Sequence, residues 1–329
     1  MRRRRWLLCS ILLLAVSLVA AACGSDDEDK ETSDTTTPTA QTTIPSFAAG
    51  TTMANIQSKG KLVVGVKFDQ PGFGQRNPTN NQVEGFDVEI GKLIAVAIFG
   101  GTTDDVSSKI EFKEAISRNR EPFIQNGDVD IVIATYTIND TRKQVVDFAG
   151  PYFIAHQDIM VKSSDSSIKS VNDLNGKKVC SVKGSTSEKN VKEKAPSVDV
   201  LALDDYSKCT EALTDGRVVA VTTDAPILGG YVVQGNGAFK LVKAPFTDEP
   251  YGIGLKKGDD AFRSFLNDRL EAIYADGSWA KAFNATLAKL GLDLPTPPPV
   301  NRYTSTPAAS TTVGGATTTT VVSTSTTRA

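Results

Sequence analysis

A threonine and an arginine stand five residues apart in the run Ala134-Thr135-Tyr136-Thr137-Ile138-Asn139-Asp140-Thr141-Arg142. The β-branched segment Ile131-Val132-Ile133-Ala134 just before them reads as a buried strand. Asn139 or Asp140 can cap a helix that starts behind it. A strand end and a helix start arranged this way deliver Thr137 and Arg142 to one cleft. A guanidinium beside a hydroxyl suits a small carboxylate, because the planar fork donates two parallel charge-assisted hydrogen bonds. Spacing alone also fits a solvated arginine next to a helix cap.

Four further groups carry possible chemistry. Gly184-Ser185-Thr186-Ser187-Glu188 follows the strand-like Val179-Cys180-Ser181-Val182 and opens a helix. Backbone N–H groups there, with the hydroxyls of Thr186 and Ser187, can close over an anion, or form an ordinary N-cap. Asp224 ends the strand-like stretch 218–222 and precedes Pro226, so it either caps a helix or faces a cation. Lys67 ends a first strand at 61–66, and Arg120 starts a short helix stopped by Gly127; both also fit solvated basic residues. Against an enzyme stand the single histidine, His156, and the absence of a metal-spaced His/Cys cluster. Neither a nucleophile elbow nor a phosphate-binding loop occurs. Pro71-Gly72-Phe73-Gly74 reads as a turn. No cofactor and no metal are expected.

The ends of the chain are not fold. Arg2–Arg5, the apolar stretch 6–20 and Ala20-Ala21-Ala22-Cys23 have the layout of a signal peptide over residues 1–22, or of an uncleaved anchor. The cleavage site resembles a bacterial lipobox, in which Cys23 is acylated and becomes the mature N-terminus. Those 22 residues hold four arginines and no acid, so the mature chain is more acidic than the whole, which has 36 basic and 38 acidic residues. A nucleic-acid partner calls for a basic face and is not expected. With Cys9 removed and Cys23 lipidated, Cys180 and Cys209 remain as a pair, oxidised outside the cytoplasm or left as two buried thiols. A bond closing that loop stabilises by roughly 3–4 kcal/mol on the chain-entropy account. Residues 23–50 read as a disordered tether, and 295–329 as a disordered Pro/Ser/Thr-rich tail.

Between them, strand-like and helix-like patterns alternate over about 240 residues, an α/β layout long enough for two lobes. Expected strands cover 61–66, 109–113, 130–135, 157–162, 198–203, 218–222, 239–243 and 251–255, and two amphipathic helices, 261–275 and 278–290, close the core. Essentially all of 55–294 resembles the extracytoplasmic solute-binding proteins that capture polar amino acids for ABC importers. Gly65-Val66-Lys67-Phe68-Asp69-Gln70-Pro71 and Ala134-Thr135-Tyr136-Thr137-Ile138 are most similar to their glutamate and aspartate binders. The resemblance implies a type II periplasmic-binding-protein fold with mostly parallel sheets, one crossing strand per lobe and two hinge crossovers. Lobe 1 would be 51–155 plus 249–294, and lobe 2 would be 156–248.

The resemblance also implies roles. Thr137 and Arg142 hold the ligand's α-carboxylate, Thr186 and Ser187 close over it, Asp224 meets the α-ammonium with help near Thr135, and Lys67 and Arg120 meet a side-chain carboxylate. The implied function is a lipid-anchored binder of L-glutamate, with aspartate, asparagine and glutamine as related ligands. It would sit as a monomer on the outer face of the cell membrane and deliver to an ABC permease. A sensor of the same fold, or a small-molecule lyase built on it, are the alternatives.

Overall fold

The computed structural model describes residues 44–303. The expected signal peptide, Cys23 and most of the expected tether and tail lie outside the described residues. Along the chain run α1 (Thr52–Lys59), β1 (Leu62–Val66), β2 (Asp69–Gln70), β3 (Gly74–Arg76), β4 (Val83–Glu84), α2 (Phe86–Phe99), β5 (Ile110–Glu114), α3 (Arg120–Asn126), β6 (Ile131–Val132) and α4 (Asp140–Lys143). There follow β7 (Val146–Lys162), β8 (Lys178–Val182), α5 (Thr186–Lys194), β9 (Asp199–Leu203), α6 (Tyr206–Thr214), β10 (Ala220–Asp224), α7 (Ala225–Gln234), β11 (Phe239–Leu241), β12 (Thr247–Lys256), α8 (Asp260–Ala275) and α9 (Ser278–Ala285).

One sheet orders its strands β5-β1-β6-β12-β7-β10-β8-β9, with β11 on β7. β1 runs parallel to β5 and β6, and β8 runs parallel to β9 and β10. β7 and β12 run antiparallel to each other and join these two parallel sets. This is the two-lobed α/β architecture that the pattern implies. A buried aromatic cluster around Phe86, Phe153, Tyr251, Trp279 and Phe283 packs α2 and α9 against the joining strands. The disulfide Cys180–Cys209 ties β8 to α6.

β7 and β12 are longer than their sequence signals. Ala155, His156 and Gln157 lie opposite Glu249, Asp248 and Thr247, so the chain passes between the two sets as paired strand. His156 Nδ1 and Asp248 Oδ1 are 2.9 Å apart on this ladder. We take the residues on either side of it as lobes 1 and 2. The last expected helix also differs: α9 ends at Ala285, and a 3₁₀ turn, Leu287–Leu290, follows.

Two segments assigned to tether and tail are held to the body. Phe47 packs edge-on against Phe265 at 5.4 Å between ring centroids. The Phe148 amide donates to Tyr303 Oη at 2.7 Å, the Asn301 amide donates to Gly150 O at 2.8 Å, and Arg302 pairs with Asp268 and Glu271. The Tyr303 ring lies under the cations of Lys143 and Arg263. A polar, proline-rich composition averages over such isolated anchors. Tyr303→Ala should cost about 2 kcal/mol, lowering the melting temperature by about 4–8 °C in a calorimetric scan. An unchanged transition would show that the strap contributes nothing.

Candidate functional site

Asn139 is the residue that caps α4, accepting from the Arg142 amide at 2.9 Å. The cap sets the first turn, and that turn brings the Arg142 side chain inward to 7 % exposure. Its Nη1 donates to Thr137 O at 2.7 Å, and its Nε donates to Glu121 Oε1 at 3.1 Å. The Tyr136 ring carries Arg142 at 4.8 Å and Arg120 at 4.4 Å. Burial, then the neighbouring Arg120, push the Arg142 guanidinium down to about 10, which leaves it cationic at neutral pH. The strand leading to it is shorter than the apolar run suggests. β6 stops at Val132, and Thr135 turns to φ +44°. Asp87 removes the Thr135 amide from the ladder at 2.9 Å, and is itself held by Tyr152 Oη at 2.7 Å. The Thr135 hydroxyl donates to Gln70 Oε1 at 2.9 Å.

Thr137 and Thr186 do meet across the cleft, with Oγ1 atoms 3.3 Å apart. Their hydroxyls are nevertheless directed at a third residue. Thr137 donates to Glu249 Oε2 at 2.7 Å, and Thr186 donates to the same oxygen at 2.8 Å. Ser187 Oγ, buried, lies 3.1 Å from Thr223 Oγ1. Asp224 ends β10, buried, and accepts from Tyr251 Oη at 2.5 Å through Oδ2. Its Oδ1 has no hydrogen-bond partner. Burial, then the charge of Glu249, push this carboxyl up to about 7. Tyr206 Oη is a second buried polar atom without a partner, and burial and Asp224 push its titration up.

Lys67 and Arg120 lie in lobe 1, each about 2 % exposed. Lys67 Nζ donates to Ser117 Oγ at 2.9 Å; burial and then Arg120 push the ammonium down to about 7. Arg120 commits Nε to Ser117 O at 3.2 Å and Nη1 to Ala134 O at 3.1 Å, so part of its fork serves the backbone. Lys67 is buried and near enough to Arg120 to feel its charge, an arrangement that suits an anionic group of a ligand.

The lobes are drawn together around these groups. The Tyr206 amide donates to Asp69 Oδ2 at 2.8 Å, Tyr231 Oη donates to Asp69 O, and Arg118 pairs with Asp204 across the gap. Gly230 sits where an added Cβ would come within 2.8 Å of Pro71 O. Beside Arg142 opens a cavity of about 450 Å³ lined by Glu121, Asn139, Gly184, Thr186 and Lys189. Glu249, Asp87 and Tyr206 escaped the sequence reading. For Glu249 the signal is an acid and a proline directly before the apolar run 251–255, since β12 begins at Thr247.

Residues 62–287 match the model of the bacterial extracellular solute-binding proteins, family 3. The chain is 44 % identical over 236 residues to the glutamate-binding protein GluB of Corynebacterium glutamicum, covering 70 % of this chain and 79 % of that one. It is equally 44 % identical over 233 residues to the ABC transporter glutamine-binding protein GlnH of Bacillus subtilis, covering 70 % and 83 %. Among solved structures, an ancestral arginine-binding protein bound to glutamine superposes with a TM-score of 0.63 at 39 % identity, covering 69 % and 97 %. A cysteine-binding protein from Campylobacter jejuni does so at 0.69 and 27 %, covering 75 % and 97 %.

Proposed function

The chain belongs to family 3 of the bacterial extracellular solute-binding proteins, and from that premise we propose that it captures L-glutamate by hinge closure and presents it to an ABC permease. An amino-acid ligand and an ABC transporter as partner come with the family. The observation that carries the ligand assignment is the pairing of buried charges. Asp224, with Oδ1 unpartnered, suits an α-ammonium, Arg142 suits an α-carboxylate, and Lys67 with Arg120 suits a second carboxylate. Overall identity does not separate glutamate from glutamine, since the glutamate and glutamine binders are equally similar to this chain. The two cations do separate them, because an amide leaves buried charge uncompensated. The same reading has the protein anchored through acylated Cys23, acting as a monomer, and releasing its ligand unchanged.

A thermal-shift screen against the common amino acids tests the assignment, since a ligand at a hundred times its Kd stabilises by about 2.7 kcal/mol. L-Glutamate should give the largest shift; a larger one from glutamine or a cationic amino acid overturns the ligand. The distal subsite has its own test. Arg120→Ala should weaken L-glutamate by about tenfold or more and L-glutamine by much less in calorimetric titrations. An equal loss for both would make Arg120 a purely structural residue that holds the Ala134 and Thr135 carbonyls.

A further inference from the structure

Glu249 is 2 % exposed, and its side-chain oxygens accept from four side chains on both sides of the cleft. Oε2 accepts from Thr137 of lobe 1 and Thr186 of lobe 2; Oε1 accepts from Asn190 at 2.8 Å and Thr247 at 2.9 Å. Asn190 spends its other amide proton on Gln157 Oε1 at 3.0 Å, so its orientation is set as well. A buried carboxylate with its acceptor sites filled this way is a built arrangement, since each unmet site would cost free energy.

A threonine hydroxyl has one proton. With both protons directed at Glu249 Oε2, neither Thr137 nor Thr186 has one left for a ligand carboxylate, and both oxygens face the cleft as acceptors. We infer that Glu249 is a positioning residue for ligand capture. It fixes the polarity of the two cleft hydroxyls and, by sharing one oxygen between Thr137 and Thr186, ties the closed form together. The two hydroxyls then present only lone pairs to whatever enters the cleft. Loss of Glu249 frees the hydroxyls to rotate and removes the cross-cleft acceptor in the same step. The inference rests on the proposed function only for the choice of L-glutamate as probe.

The test is a double-mutant cycle on the full-length protein with Glu249→Gln, Thr186→Val and both together, each checked for folding by circular dichroism. Glu249→Gln should weaken L-glutamate by about tenfold or more, and adding Thr186→Val should cost less than about a further twofold, because the two act through one contact. A purely structural role for Glu249 would not couple to Thr186 in this way. Small-angle X-ray scattering of ligand-free protein should show a larger radius of gyration for Glu249→Gln than for wild type. Unchanged affinity for Glu249→Gln, or losses that multiply, overturns the inference. If Glu249→Gln does not fold, Glu249→Asp, which draws the carboxylate back by one methylene from both threonines, replaces it in the same cycle with the same two outcomes. If wild-type protein does not bind L-glutamate, the ligand assignment fails, while the scattering comparison still decides whether Glu249 holds the lobes together.

Discussion

Arg142→Ala is expected to weaken L-glutamate binding by about 3 kcal/mol or more, over a hundredfold in Kd. The α-carboxylate would lose a charge-assisted donor at a site where water cannot replace it. Arg142 reaches that position already braced by Thr137 O, Glu121 and the Tyr136 ring, so little ordering remains to be done when the ligand arrives. Arg142→Lys keeps the charge but loses both the fork and the stacking, and should recover only part of the affinity. Stability needs a control, because Glu121 loses an ion-pair partner; its side chain is 23 % exposed and can turn to water. Calorimetric titration of the folded variant decides the point: wild-type affinity would remove Arg142 from the site.

The turn that brings Arg142 inward was legible because its main signals are local. The β-branched run, the Asn139 cap and the arginine lie within twelve residues, where periodicity and capping rules act. Asp224 was legible for the same reason, as an acid at the end of an apolar strand before a helix-starting proline. What was hidden depends on pairing between distant residues. Glu249 reaches Thr137 across 112 positions of sequence, and no short pattern marks that contact. Only the 157–162 end of β7 was legible; its first part was hidden because Gly150-Pro151 interrupts what would otherwise read as a strand. In the fold Gln157 and Asp158 are buried and hydrogen-bonded, which is how two polar residues sit within a central strand. The direction of a hydroxyl proton is further still from sequence. Thr137, Thr186 and Ser187 could be proposed as polar lining, but which group each one serves depends on Glu249 and Thr223.

Asp224→Asn should move affinity and stability in opposite directions. The Asp224 carboxyl rises from its ordinary 3.8 to about 7 because it is buried and Glu249 is near. The folded protein thus holds that proton more tightly than the unfolded chain does, so the stability it contributes is lost as pH rises from about 4 to about 7 and is gone above that. Asparagine resembles the neutral acid. At pH 8 the variant should therefore melt higher than wild type in the absence of ligand, and at pH 4 the gain should vanish. Binding responds the other way, since an α-ammonium that loses its carboxylate partner should cost about 3 kcal/mol. The pH profile separates this role from packing. Below pH 7 the ligand must displace a proton from Asp224, so wild-type affinity should fall by up to about tenfold per unit. Lys67, pushed down to about 7, supplies an alkaline limb with L-glutamate, because a neutral amine cannot meet the distal carboxylate. L-Glutamine should lack most of that alkaline limb, and Asp224→Asn should lack the acid one. An acid limb that survives in Asp224→Asn would assign it to another group and take Asp224 out of the ammonium site.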